Sequence, residues 1–312
     1  SATLHQPHAF CISGWTSNHF NGFELEILKT VFNKRCNSIS NYYSFFICSL
    51  DLTIENSAPE QAMENSQKKQ FTIFGINNSI SVLESDQFNL TKIDILKNGR
   101  AEKEKHLIYL INKLSFQPKF YDKQGFYQKY PDGRTQGIAV VISGDIAKGN
   151  LPDYSEKESV CLLALDQIED PQNFGQIIRT AECAGIDGLL FSKHHSATIT
   201  DTVLQVSQGA FVNMPLYEVT NLKNEFIRLK DDGFWVIGLE NSIDAKPWHE
   251  VEYIGKTVLV VGSEGKGIRE KVLESCDFKA TIPMQGKTNS LNVSAAVSAI
   301  VFERLRQIQG PK

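Results

Sequence analysis

From residue 160 onward the chain alternates between two kinds of segment. Short apolar runs fall at 160–165, 188–191, 215–219, 235–239, 257–261 and 278–282. Helical patterns lie between them, near 174–184, 200–208, 222–231 and 268–276, and a last helix covers about 291–307. Runs that are apolar without a polar alternate are strands buried on both faces, and the helices between them return the chain to begin the next strand in parallel. This constrains 160–312 to an α/β domain with a mostly parallel six-stranded sheet, covered on both sides. In such sheets ligands sit beyond the carboxyl ends of the strands.

Upstream the organisation changes. Residues 1–70 read as an extension, and its polar end (54–70) carries no core pattern, which suits a linker. Residues 71–144 read as a compact α/β module, with strand-like runs at 71–76, 92–96 and 137–142 and a helix at 101–114. This module holds ten Lys and Arg against seven Asp and Glu, whereas the whole chain is net −4. Any nucleic-acid surface is therefore local. Lys97-Asn98-Gly99-Arg100 and Gly133-Arg134-Thr135-Gln136-Gly137 join cations to glycine, which suits close approach to phosphates. Residues 145–159 are polar, contain Gly149 and Pro152, and read as a second linker. The six cysteines are scattered and form no C-x-x-C, so zinc and disulfide frameworks are disfavoured and a reducing compartment fits. The cytoplasm is the expected location. An organellar leader within 1–70 has only Arg35 among the first fifty residues to support it.

Three stretches carry chemistry. Val260-Val261-Gly262-Ser263-Glu264-Gly265-Lys266-Gly267-Ile268 follows a buried strand, and its three glycines let backbone approach a ligand. No Ser or Thr follows Lys266, and neither the Walker spacing nor G-x-G-x-x-G is present, so a phosphate cradle is disfavoured. Taken alone, such a loop is a turn. In Ser290-Leu291-Asn292-Val293-Ser294, Ser290 is positioned to cap the last helix, which leaves Asn292 in its first turn. The helix itself reads V-S-A-A-V-S-A-I-V-F from Val293 to Phe302, without charge on any face. A helix apolar all round is buried all round, and a terminal helix of this kind is expected at a homodimer interface. In Asn173-Phe174-Gly175-Gln176-Ile177-Ile178-Arg179, the helix is expected to start near Asn173. Arg179 stands among apolar neighbours and calls for an anion, either a structural carboxylate or a phosphate.

Together these stretches resemble the SpoU (TrmH-type) family of RNA ribose 2′-O-methyltransferases, within the SPOUT superfamily. Asn173 to Arg179 is similar to its first motif, N-x-G-x-x-x-R. Val260 to Ile268 is similar to its second, and Ile282-Pro283-Met284 with Ser290 to Ser294 to its third. The module at 71–144 resembles the L30e-like RNA-binding domain of bacterial 23S rRNA guanosine methyltransferases of the RlmB type. The resemblance implies a C-terminal trefoil knot, a homodimer formed through the knot and last helix, and S-adenosylmethionine as methyl donor. It implies Leu239, Gly262, Ile282 and Leu291 as cofactor-binding positions, and Asn173, Arg179, Glu264, Ser290 and Asn292 as the catalytic set. Lys97, Arg100 and Arg134 are the expected RNA contacts, with large-subunit rRNA ahead of tRNA as substrate. Gln205 stands where many relatives carry a lysine, which would remove one phosphate contact. The methyl donor is already activated, so no metal enters the expectation, and the most apolar early run, Tyr42 to Leu50, is far short of a membrane span. Two rivals remain open: a catalytically silent RNA-binding paralogue, and another α/β nucleotide binder such as a dehydrogenase.

Overall fold

A computed structural model describes residues 69–131, 134–242 and 244–310. The expectations for the stretch before residue 69 lie outside the described residues.

The chain first builds a four-stranded sheet. Its strands are β1 (Gln70–Phe74), β2 (Asn89–Leu96), β3 (Lys119–Tyr121) and β4 (Ile138–Ser143), in the order β1-β4-β2-β3. The helices α1 (Ile76–Leu83), α2 (Lys105–Asn112) and α3 (Lys123–Lys129) belong to this part. Leu107 and Ile111 of α2 are buried with Ile93 and Ile95 of β2, as the apolar spacing of that helix requires. The short helix α3 was not legible as one. It is polar and brief, and it is nucleated by Asp122, whose Oδ1 accepts from Gly125 N at 2.8 Å.

A second sheet contains β5 (Ala147–Lys148), β6 (Val160–Asp166), β7 (Gly188–Ser192), β8 (Leu216–Val219), β9 (Trp235–Leu239), β10 (Lys246–Pro247), β11 (Lys256–Gly262) and β12 (Phe278–Thr281). It therefore has eight strands, not six. The two additions are two-residue edge strands, too short to leave a pattern in the sequence. One of them, β5, falls inside the stretch expected to be a linker and pairs with β8 through Ala147 and Leu216. Leu151 and Tyr154 of that stretch are also buried, so it is part of the sheet layer. All pairings in this sheet are parallel.

The helices are α4 (Pro171–Cys183), α5 (Asp201–Val206), α6 (Leu222–Asp231), α7 (Glu270–Leu273) and α8 (Val293–Gln309). Every residue of β6 is buried, as a central parallel strand demands. Its side chains alternate between two cores. Leu163 and Leu165, with Leu259 and Val261, face α4 and α8 through Ile177, Val297 and Ile300. Leu162 and Ala164, with Val258 and Val260, face Phe226 and Leu229 of α6 and Val272 of α7. The first core runs without a break into the four-stranded part. Among the described residues no helix is long and apolar enough to cross a membrane.

The strand order is β10-β12-β9-β11-β6-β7-β8-β5. The chain leaves β6 in one direction for β7 and β8, then crosses to β9 on the other side. The switch point lies between β6 and β11, whose carboxyl ends pair at Asp166 and Gly262. A ligand is expected at that place.

Candidate active site

At the carboxyl edge of β9 and β11 there is a cavity of about 580 Å³. It is lined by Leu239 to Asn241, Val261 to Gly267, Asn289 to Val293 and Ala296. The loop after β11 closes on itself. Ser263 N donates to Gly267 O at 3.2 Å, and Gly267 N donates to Ser263 O at 2.9 Å. A side chain at Gly262 is impossible in this turn, because a Cβ there would sit 2.0 Å from Gly267 C. Gly265 and Gly267 hold left-handed backbone, with φ of 83° and 68°.

The mouth of the cavity is fastened by one carboxylate. Glu264 Oε1 accepts from Asn173 Nδ2 at 3.0 Å, Asn292 Nδ2 at 2.6 Å and Val293 N at 3.4 Å. Asn292 Nδ2 also donates to Asn173 Oδ1 at 3.0 Å. Three motifs far apart in the chain thus meet at Glu264. Beside them a smaller cavity of about 210 Å³ is lined by Gln167 to Asp170, Asn173, Glu264 and Lys266.

Each helix at the site is set by its own cap. Asp170 caps α4, its Oδ1 accepting from Gln172 N at 2.9 Å, with Pro171 opening the helix. Asn173 therefore sits in the first turn of α4 rather than in the preceding loop. Six residues on, Arg179 is about 1.7 turns further round and solvent-exposed. It does not converge on Asn173, and no carboxylate pairs with it among the described residues. The cap of α8 also differs from expectation. Asn292 is the capping residue, its Oδ1 accepting from Ser294 N at 2.9 Å and Ser294 Oγ at 2.6 Å. Ser290 lies two residues earlier, exposed in the cavity wall.

Of the positions expected to hold a cofactor, Leu239, Gly262 and Leu291 line the main cavity. Ile282 lines an adjoining one of about 140 Å³, which shares Leu239, Ser290 and Leu291 with it. Lys97, Arg100 and Arg134 are exposed on loops at one end of the four-stranded sheet. The end is common because Leu96 N donates to Gly137 O at 2.9 Å and Gly75 N to Thr135 O at 3.2 Å.

Several lining residues escaped the sequence reading. Glu240 and Asn241 follow β9, and their place directly after a buried parallel strand was the available signal. Asp166 also escaped. It is fully buried at the end of β6, and Arg269 holds both its oxygens, with N to Oδ2 and Nε to Oδ1 each at 2.8 Å. That pair ties β6 to the start of α7 and fixes the floor beneath the Gly262 loop. Helix α8 is not buried all round: Ala295, Phe302 and Ile308 are exposed, as is Leu291 just before its cap.

A parallel sheet with a cavity beside its switch point, at the carboxyl ends of β9 and β11, fastened by residues from three separate parts of the chain, defines an α/β ligand-binding domain. Comparison with known proteins places it further. Residues 161–302 match the SpoU rRNA Methylase family. A Staphylococcus aureus protein assigned by name to the TrmH family of tRNA/rRNA methyltransferases is 37% identical over 219 residues, covering 69% of this chain and 82% of that one. A Mycoplasma pneumoniae protein named as a tRNA/rRNA methyltransferase homologue is 32% identical over 246 residues, covering 77% and 98%. Among solved structures, the SpoU methyltransferase AviRb of Streptomyces viridochromogenes, in complex with AdoMet, superposes with a TM-score of 0.65 at 20% identity, covering 78% of this chain and 92% of that one. An RNA 2′-O ribose methyltransferase superposes with a TM-score of 0.66 at 20% identity, covering 78% and 90%. The chain belongs to the SpoU/TrmH family of tRNA/rRNA methyltransferases.

Proposed function

We propose that this chain is an S-adenosylmethionine-dependent RNA ribose 2′-O-methyltransferase, acting on a guanosine of large-subunit rRNA. The observation that carries the reading is the convergence of Asn173, Glu264 and Asn292 at the mouth of the cavity. The cavity suits a nucleoside-bearing ligand. Its walls expose bare backbone at Gly262, Gly265 and Gly267, and Ser263 Oγ is buried there without a partner. Leu239, Gly262 and Leu291 would hold S-adenosylmethionine, with Ile282 behind them. When bound, S-adenosylmethionine supplies an electrophilic methyl group.

The chain's own residues supply position. Glu264 locks Asn173 and Asn292 relative to each other, so that polar groups from α4 and α8 face one point. Ser290, exposed in the wall and free of a capping duty, orients the ribose together with Asn173 and Asn292. Arg179 fixes a neighbouring phosphate and stabilises the alkoxide that develops on the 2′-oxygen. A guanidinium holds its proton and has no acceptor atom to offer, which makes it a poor base. In a single chain Arg179 is exposed and makes no hydrogen bond to the network. The exposed stripe of Leu291, Ala295 and Phe302 supports a homodimer, in which Arg179 of one protomer serves the site of its partner. The C-terminal knot and the L30e-like nature of the four-stranded part belong to the same reading, as does action in a reducing compartment.

The test is transfer of a labelled methyl group to unmodified rRNA and tRNA fractions. Label confined to large-subunit rRNA supports the full reading. Label confined to tRNA keeps the enzyme and overturns the substrate, and no label on either leaves the silent paralogue.

A further inference from the structure

A second cleft, of about 290 Å³, lies where the four-stranded part meets α4 and α5. Six amide side chains line it: Asn77, Asn78 and Gln136 from one side, and Gln172, Gln205 and Gln208 from the other. Arg134 is the one ionisable residue in the lining. The two sides are held close. Lys69 Nζ donates to Ile199 O at 3.1 Å and Thr72 N to Asp201 Oδ1 at 3.2 Å, and a Cβ at Gly209 would meet Ser81 Oγ at 2.3 Å.

The cleft carries unused hydrogen-bonding capacity. Asn78 is 2% exposed, and its Oδ1 has no partner. Gln205 is engaged through its backbone, its carbonyl accepting from Asn78 Nδ2, Gln208 Nε2 and Gln208 N, each at 3.3 Å. Its side-chain amide is free among the described residues. Gln136 and Gln208 both adopt left-handed backbone, with φ of 53° and 55°, a conformation rare outside glycine. Gln136 is anchored there by its Oε1, which accepts from Ile76 N at 2.8 Å.

This chemistry does not suit a phosphate, which would draw several cations. A side-chain amide offers a donor and an acceptor in one plane, the complement of a nucleobase edge. Sequence-specific RNA recognition reads unpaired bases through such edges. The position is also apt. Gln172 immediately precedes Asn173 of the cavity-mouth network. The exposed Lys97 and Arg100 lie at the same end of the small sheet as Arg134, a placement suited to backbone phosphates.

We propose that this cleft is a base-reading subsite that takes one unpaired nucleobase of the RNA substrate, flanking the methylated nucleotide, with Gln172 and Gln205 as specificity-determining residues. The proposal rests on the reading of RNA as substrate and adds how that RNA is selected.

The test uses the full chain and short uridine oligonucleotides, either unbroken or carrying one central adenosine, cytidine or guanosine. Binding is followed by fluorescence anisotropy at fixed salt. One base should be preferred by about tenfold, the discrimination of one good bidentate pair. Gln172→Ala and Gln205→Ala should each reduce the preference to about twofold or less, without changing the melting temperature or the affinity for the weakest oligonucleotide. Gln205→Met, similar in size and neutral but without the amide's donor and acceptor, should lower affinity for the preferred base alone. Equal binding of all four by the wild type, or variants that keep the preference, would overturn the subsite and leave the RNA reading standing. If none of the four bound, the RNA reading itself would fail, and the subsite with it.

Discussion

Asn292 and Glu264 face each other across the mouth of the cavity, with Nδ2 donating to Oε1 at 2.6 Å. The bond links the cap of α8 to the loop after β11, and through Asn173 it reaches the first turn of α4. Glu264→Ala removes the common acceptor and leaves both amides without it. Because Glu264 is exposed, the cost in stability should be modest, about 1 kcal/mol in urea unfolding. Loss of order at the cavity mouth should be larger, read as a clear fall in S-adenosylmethionine affinity by calorimetry. Unchanged affinity would show that the network is incidental to the cavity.

Two glycines should resist replacement for different reasons. At Gly262 a Cβ meets backbone, with Gly267 C at 2.0 Å and Gly267 O at 2.1 Å, and neither can turn aside. Gly262→Ala should therefore open the loop and abolish cofactor binding. At Gly175 a Cβ meets Val206 Cβ at 2.6 Å and Val203 O at 2.7 Å, so the glycine sets how closely α4 packs on α5. Gly175→Ala should cost stability at the upper end of the overpacking range, about 3 kcal/mol. Calorimetry with S-adenosylmethionine checks the first, and denaturant midpoints at constant slope check the second.

A pH-dependent element lies away from the site. Asp94 is fully buried in β2. Burial alone would raise its pKa. Hydrogen bonds from Lys129 and Tyr130 and the nearby Lys92 outweigh burial and hold it below the usual carboxylate value. A folded pKa depressed in this way stabilises the protein above the unfolded value, and that contribution is lost as pH falls through the folded value. Asp94→Asn should be destabilising at neutral pH, with the deficit shrinking once the pH drops below about 4. Urea unfolding at both pH values reads this directly. A deficit independent of pH would show that the carboxylate's charge is not what matters.

Much of this arrangement was legible because parallel strands advertise themselves. The unbroken apolar run of β6 and the polar loops after β11 and β12 located the site's edge. The partners within it were not legible. Asn173 and Asn292 are 119 residues apart, and no local spacing encodes their contact. The cap of α8 went to Asn292 rather than Ser290 because both are good caps, and the choice depends on where the loop leaves the cavity wall. Arg179 drew notice through its apolar neighbours, yet Ile177 and Ile178 are buried while the guanidinium reaches solvent, since a helix separates adjacent positions by about 100°. The amide-lined cleft between the two sheets was not legible as a cleft, because its six amides come from four separate stretches.

Arg179 separates structure from chemistry. It is exposed and has no carboxylate partner among the described residues, so Arg179→Ala should change unfolding free energy by no more than about 0.5 kcal/mol. Cofactor affinity should hold, while methyl transfer is lost. Cofactor binding lost together with transfer would make Arg179 a structural residue. Mixing Arg179→Ala with Glu264→Ala protomers should recover part of the activity if the arginine serves the partner's site.

The central claim is that the methyl group goes to a ribose 2′-oxygen of RNA. The most direct measurement is alkaline hydrolysis of RNA labelled by the purified chain from methyl-tritiated S-adenosylmethionine. A 2′-O-methyl group blocks cleavage of the adjacent phosphodiester, so the account predicts label in an alkali-resistant dinucleotide. Label recovered in mononucleotides, on a base, would contradict it.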